Sequence, residues 1–246
     1  MSEPRRIGYG PDPAQFGELS LPRRAEHAGT VVIVHGGFWR VLYELDLGRP
    51  LATDLVAHGF AVWNIEYRRI GNGGGWPSTA DDVSTAIDHL ALLDTDTSAV
   101  VAVGHSAGGH LAVWAAGRPA AGVRLTAAVA QAGVLDLVGA HQQGLGRGAV
   151  ADLLGGGPAA VPERYAAADP LGAAPLTVPV LCVHAGADDI VPISQSESYV
   201  AAAAGRATLC EVPGDHFTVI DPQHESWAAV RSALPDLLAG RLPSTS

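Results

Sequence analysis

Apolar runs rich in β-branched residues alternate along this chain with segments of helical period. Residues 30–35 (TVVIVH), 60–66 (FAVWNIE), 99–104 (AVVAVG), 125–131, 180–184 and 207–212 are largely apolar, as strands covered on both faces must be. Residues 15–21 read as an outer strand. Residues 45–58 place Leu51, Leu55 and Val56 on one helix face and stop at Gly59. Residues 78–92 open on Pro77 and Ser78 and carry Val83, Ile87, Leu90 and Ala91 along one stripe. Helices over 107–116, 193–204 and 222–238 complete the set, and the tail beyond Leu238 reads as frayed. The alternation predicts an α/β class: a mostly parallel sheet with helices on both faces, in one domain spanning 1–246. Sheets of this kind hold their chemistry just past the carboxyl ends of their strands.

Composition narrows the partners. The 246 residues hold 15 Arg and no Lys against 25 Asp and Glu, a net charge of −10. An acidic, Lys-free surface is a poor ligand for phosphate backbones or anionic lipid, which argues against nucleic acid and membrane as partners. No run approaches the ~18 apolar residues of a spanning helix, and the start has no signal-like apolar stretch, so a cytoplasmic protein is expected. The spacing of Cys182 and Cys210 fits neither a zinc site nor a redox pair, so buried free thiols are expected.

The candidate chemistry sits at strand ends. Gly104-His105-Ser106-Ala107-Gly108 follows one strand and opens an Ala-rich helix. Its glycines permit a sharp turn that holds the serine hydroxyl strained and exposed above the sheet, the form of a nucleophile elbow. The loop after 30–35 reads His35-Gly36-Gly37-Phe38-Trp39. Glycines there let backbone N–H groups point at a substrate oxygen, so Gly37, Phe38 and Ala107 are the candidate oxyanion hole. Elbow serines draw their acid and then their base from later in the chain. Asp188 follows strand 180–184 and His216 follows strand 207–212, so Ser106, Asp188 and His216 stand in the required order. Asp189 and Asp136 remain alternative acids. The other histidines are poorer bases by position: His35 lies in the oxyanion turn, His105 in the elbow and His184 at a strand end, while His110 and His224 lie in helices. No H-x-H or H-E-x-x-H spacing exists, which argues against a metal hydrolase, and no cofactor is expected.

These residues resemble the α/β-hydrolase-fold serine hydrolases over essentially the whole chain. HGGFW at 35–39, GHSAGGHL at 104–111 and DHF at 215–217 are similar to motifs of the kynurenine formamidase (arylformamidase) group and of hormone-sensitive-lipase-like carboxylesterases. Glu66-Tyr67-Arg68 matches their acidic-Tyr-Arg segment. The resemblance implies an eight-stranded sheet whose second strand is antiparallel. It also implies hydrolysis of a small-molecule ester or an aryl formamide. Phe38 stands where the formamidases carry Tyr and where the esterase turn carries its third Gly.

Folds of this kind insert a cap at about residues 135–179. Here that stretch is short and rich in Gly and Ala, and QQGLGRGAVADLLGGGP reads as one small helix between flexible loops. So small a cap shields only a small acyl group. Trp39, Tyr67 and Trp76 fall in loops at the catalytic end of the sheet, placed to wall an apolar or aromatic substrate pocket. The loop at 71–77, GNGGGWP, reads as a mobile rim.

Overall fold

The structure, a computed structural model, describes residues 3–23 and 28–243; the end of the expected frayed tail lies outside them. Its strands are β1 Arg5–Gly8, β2 Phe16–Ser20, β3 Thr30–Val34, β4 Ala61–Ile65, β5 Val100–His105, β6 Ala127–Gln131, β7 Val180–Ala185 and β8 Ala207–Val212. They form one sheet in the order β1-β2-β4-β3-β5-β6-β7-β8. β2 is antiparallel to both neighbours, and every pairing from β4 across to β8 is parallel. The helices are α1 Arg49–Ala57, α2 Ser78–Asp88, α3 Ala107–Ala116, α4 Leu137–Gln142, α5 Ala149–Leu154, α6 Pro162–Ala168, α7 Pro170–Ala173, α8 Ser194–Ala202 and α9 Glu225–Leu238. No described helix is long and apolar enough to cross a membrane.

The two-residue period of a strand splits the core. Along β3, Val32 and Val34 pack with Val83 and Ile87 of α2 and Leu111 of α3. Val31 and Ile33 face the other way, onto Leu51 and Leu55 of α1 and Trp227 and Val230 of α9. Every β3 residue is therefore buried, which is why the strand reads as a continuous apolar run. Cys182 is buried within β7 and Cys210 half-buried in β8, both as free thiols.

Seven strands lie within two residues of their expected ends. β1 is the addition: RRIG is four residues long and mostly exposed, so no apolar alternation marks it. It is held by pairing with β2 and by the Arg6 guanidinium 3.5 Å above the Phe16 ring. The helix expected over 45–58 begins as a 3₁₀ turn, Leu45–Gly48, and becomes α-helical at Arg49.

Two loop expectations are corrected. The insertion between β6 and β7 holds four short helices, α4 to α7, rather than one helix between flexible loops. Helices of four to seven residues leave almost no periodic trace, and such pieces depend on tertiary packing. Here Leu137, Val150, Leu153, Leu154 and Tyr165 anchor them in the core. The 71–77 loop is tied rather than free. Gly74 N–H donates to Arg69 O, Gly75 N–H to Thr79 Oγ1, and Trp76 N–H to Leu153 O.

Candidate active site

Ser106 occupies the turn between β5 and α3 with φ 54° and ψ −117°, a backbone region that disfavours side chains. The turn is tight enough to exclude neighbouring Cβ atoms. One on Gly104 would collide with the Gly108 carbonyl, and one on Gly108 with the carbonyls of Val34 and His35. The strained serine is held by bonds from its own backbone: Ser106 N–H donates to Gln131 O at 2.8 Å, and Ser106 O accepts from His110 and Val134. The expectation of an exposed serine is corrected. Ser106 is only 2% exposed, and the Gly36 turn packs directly against its side chain.

His216 follows β8, in a turn shaped by Asp215, whose carboxylate accepts from the N–H groups of Phe217 and Thr218. Its Nδ1 lies 2.7 Å from Asp188 Oδ2. Asp188 Oδ1 accepts from the N–H groups of Ile190 and Val191 at 2.9 and 2.8 Å. His184 Nε2 lies 3.4 Å from Asp188 Oδ2 and donates at 2.8 Å to Val191 O. Burial pushes the Asp188 carboxyl up, but its hydrogen bonds with His184, His216 and Val191 win and hold it well below the usual carboxylate range. A carboxylate there accepts the His216 Nδ1 hydrogen and leaves Nε2 bare. Neither alternative acid meets the histidine: Asp189 is exposed, and Asp136 caps α4 by accepting from Gly139 N–H.

Elbow and histidine loop touch through His105. Its Nε2–H donates to His216 O at 2.8 Å, and the two rings are 4.6 Å apart. Burial, together with the nearby His216, pushes the His105 ring down to about 3, so it stays neutral beside His216.

The loop after β3 carries its own strain. Gly37, Phe38 and Trp39 have φ of 111°, 50° and 57°, and the last two are bulky residues in left-handed geometry. Among the described residues, no acceptor meets the N–H groups of Gly37, Phe38 or Ala107. Packing offsets the strain. Trp39 is fully buried, and its Nε1–H donates to His110 Nδ1 at 3.2 Å. His110 Nε2–H in turn donates to Ala168 O, at the end of α6. Arg40 reaches the insertion as well, donating to Gly146 O at 2.8 Å and pairing with Asp152 at 2.6 Å. Beneath the loop, the buried Glu66 accepts from His35 Nε2 and Leu45 N–H, and Tyr67 donates its hydroxyl to His35 O.

The expected pocket walls are redistributed. Trp39 and Tyr67 have no exposed surface and serve as packing under the loop. Left-handed geometry at Trp39 goes with a side chain in the core, which its loop position did not reveal. Trp76 is half-buried edge-on against Trp114. Exposed apolar side chains against the two loops include Tyr43, which packs on Gly37, and Phe217, whose ring lies beside those of His105 and His216. Neither is marked by a motif of its own, although Phe217 adjoins His216 in the sequence; the one sequence signal of a supporting role for His184 is its position four residues before Asp188.

A serine on a strained strand-to-helix turn, with an Asp–His pair delivered by the ends of β7 and β8, is the arrangement of the α/β-hydrolase fold. A family model described as BD-FAE matches residues 18–202, and the chain belongs to that family. Among solved structures it is similar to a bifunctional GH43-CE from Bacteroides eggerthii, at 25% identity and a TM-score of 0.75. That match covers 85% of this chain but only 35% of the other. Esterase B from Lactobacillus rhamnosis matches at 22% identity over 95% of this chain and 84% of its own, with a TM-score of 0.79. A thermophilic esterase of Thermogutta terrifontis, in its butyrate-bound form, matches at 20% over 99% and 97%, with a TM-score of 0.76. No curated protein matches the chain by sequence.

Proposed function

We propose that the protein is a serine carboxylesterase that cleaves esters of small acyl groups through an acyl-enzyme on Ser106, using no metal or cofactor. The observation that carries this reading is the 2.7 Å bond between His216 Nδ1 and Asp188, beside a serine held at φ 54°. In the proposed cycle Ser106 Oγ attacks the ester carbonyl carbon and its proton passes to His216 Nε2. The carbonyl oxygen takes the electron pair and faces the N–H groups of Ala107, Gly37 and Phe38. As the C–O bond to the alcohol breaks, His216 returns its proton to the leaving oxygen. Water then attacks the acyl carbon while His216 takes its proton, and the acid departs as Ser106 is reprotonated. Tyr43 and Phe217 flank the mouth and supply apolar surface to the leaving group. The esterase names of the structural neighbours agree with this chemistry, as does the butyrate bound to one of them.

The test is a series of p-nitrophenyl esters from acetyl to octanoyl, run beside N-formylkynurenine. Acetyl to butyryl esters should be turned over fastest, with a steep fall by octanoyl. Ser106→Ala should fold normally, lose about 10⁴- to 10⁶-fold in kcat and no longer react with a fluorophosphonate. Retention of a tenth of the activity would remove the serine from the mechanism, and faster turnover of the formamide than of any ester would replace the substrate assignment.

A further inference from the structure

The loop carrying His216 is held from behind by two side chains whose hydrogen bonds go to its backbone and not to a reacting atom. His105 donates through Nε2 to His216 O, and Gln131, at the end of β6, donates through Nε2 to Val219 O. Val219 lies in the 3₁₀ turn Thr218–Ile220, immediately after the histidine. Each of the two side chains has one polar atom left over. His105 Nδ1 and Gln131 Oε1 are buried and have no protein partner. Both are acceptors: His105 carries its hydrogen on Nε2, and a carboxamide oxygen only accepts. Burial keeps the His105 ring neutral, so Nδ1 remains an acceptor throughout the working pH range.

The two residues line one small cavity of about 10 Å³. Gly36 lines it too, on the side where His105 Nδ1 points, since a Cβ on Gly36 would meet that nitrogen at 3.0 Å. Most of the remaining wall is apolar, from Ile33, Leu51, Val103 and Ile220. His35 is the other polar side chain there, and both its ring nitrogens already meet Gly36 O and Glu66. Two buried acceptors without a donor are costly. The volume suits one water, and a water brings two hydrogens to two acceptors at once.

We infer that one water molecule binds in this cavity, donating to His105 Nδ1 and Gln131 Oε1, and that the two side chains it joins are positioning residues for His216. The water ties β5, which ends in the elbow, to β6, and through His105 and Gln131 both strands grip the loop, one at the base itself and one three residues beyond it. The positioning role rests on His216 being the base, as proposed above; the water site does not.

A high-resolution crystal structure of the Ser106→Ala protein should show a water within about 2.8 Å of both atoms. In the otherwise native enzyme, His105→Leu should lower kcat about 30-fold and Gln131→Met about 10-fold, with KM held within about twofold, because the base is misplaced while the mouth is unchanged. His105→Gln keeps a donor for His216 O and an acceptor for the water, and should recover to within about threefold of native. A dry cavity overturns the water site. Unchanged kcat in Gln131→Met, losses that fall on KM instead, or His105→Gln as poor as His105→Leu overturns the positioning role. If His105→Leu fails to fold, Gln131→Met and the diffraction result decide. Activity surviving in Ser106→Ala would remove the serine mechanism and leave the water, read by diffraction, to stand or fall separately.

Discussion

Asp188 accepts from two backbone N–H groups and stands within reach of two histidine rings, so its charge and its direction are both fixed before any substrate arrives. Replacing it with Asn keeps the shape but offers an amide where His216 needs an acceptor, which favours the wrong tautomer. Asp188→Asn should therefore cost about 10⁴-fold in kcat, whereas the exposed neighbour Asp189→Asn should stay within a few-fold of native on p-nitrophenyl butyrate. A reversed ranking would move the acid to Asp189. Position past a strand end and order along the chain, both of which follow from backbone topology, narrow the acid to Asp188 and its neighbour Asp189 without choosing between them; it is the fold that turns Asp188 toward His216 and leaves Asp189 exposed. The packing of Trp39 and Tyr67 could not be read the same way. Which way a loop side chain turns depends on a local φ and on a core that only the folded chain supplies.

At the scale of elements, the elbow works only because β5 and α3 meet without Cβ atoms between them. Gly104→Ala would force a methyl against the Gly108 carbonyl and should destabilise the fold by about 3 kcal/mol, a cost of overpacking against rigid backbone. Urea unfolding would show it as a lowered midpoint with an unchanged slope; a midpoint matching native would mean that the helix can shift away. Parallel strands and long amphipathic helices were legible because burial on two faces, or on one stripe, leaves a long repeating signal. The insertion was not. Its helices are too short to establish a period, and what orders them is contact with α3 and with the loop after β3. β1 escaped for a related reason, since an exposed four-residue edge strand owes its conformation to its partner.

Over the whole molecule, buried neutral histidines make stability sensitive to acid. Burial pushes His105 down to about 3 and His110 to about 4, while each would titrate near ~6.5 in the unfolded chain. Below that pH the unfolded chain binds protons that the native protein refuses. Stability is thus full above about pH 6.5 and falls as the pH drops toward 4, by about 1.4 kcal/mol per pH unit for each histidine. The lowered carboxyl of Asp188 acts in the same direction at lower pH: its contribution is present above the usual carboxylate pKa and lost as the pH falls. Urea midpoints should be level from pH 8 to 7 and decline steeply below 6.5, with His105→Gln showing about half the histidine-dependent slope. A level profile down to pH 4.5 would contradict the burial of these rings.

The insertion between β6 and β7 is fastened at two places: Arg40 grips Gly146 and Asp152, and His110 holds the end of α6. Something pinned in this way is a roof rather than a door. Enzymes that swing a door open at an oil surface gain rate abruptly once their substrate separates into droplets. Here a short-chain triglyceride should give one smooth hyperbola on either side of its solubility limit, with no step as the emulsion forms. Loosening the roof with Arg40→Ala should raise KM without creating such a step.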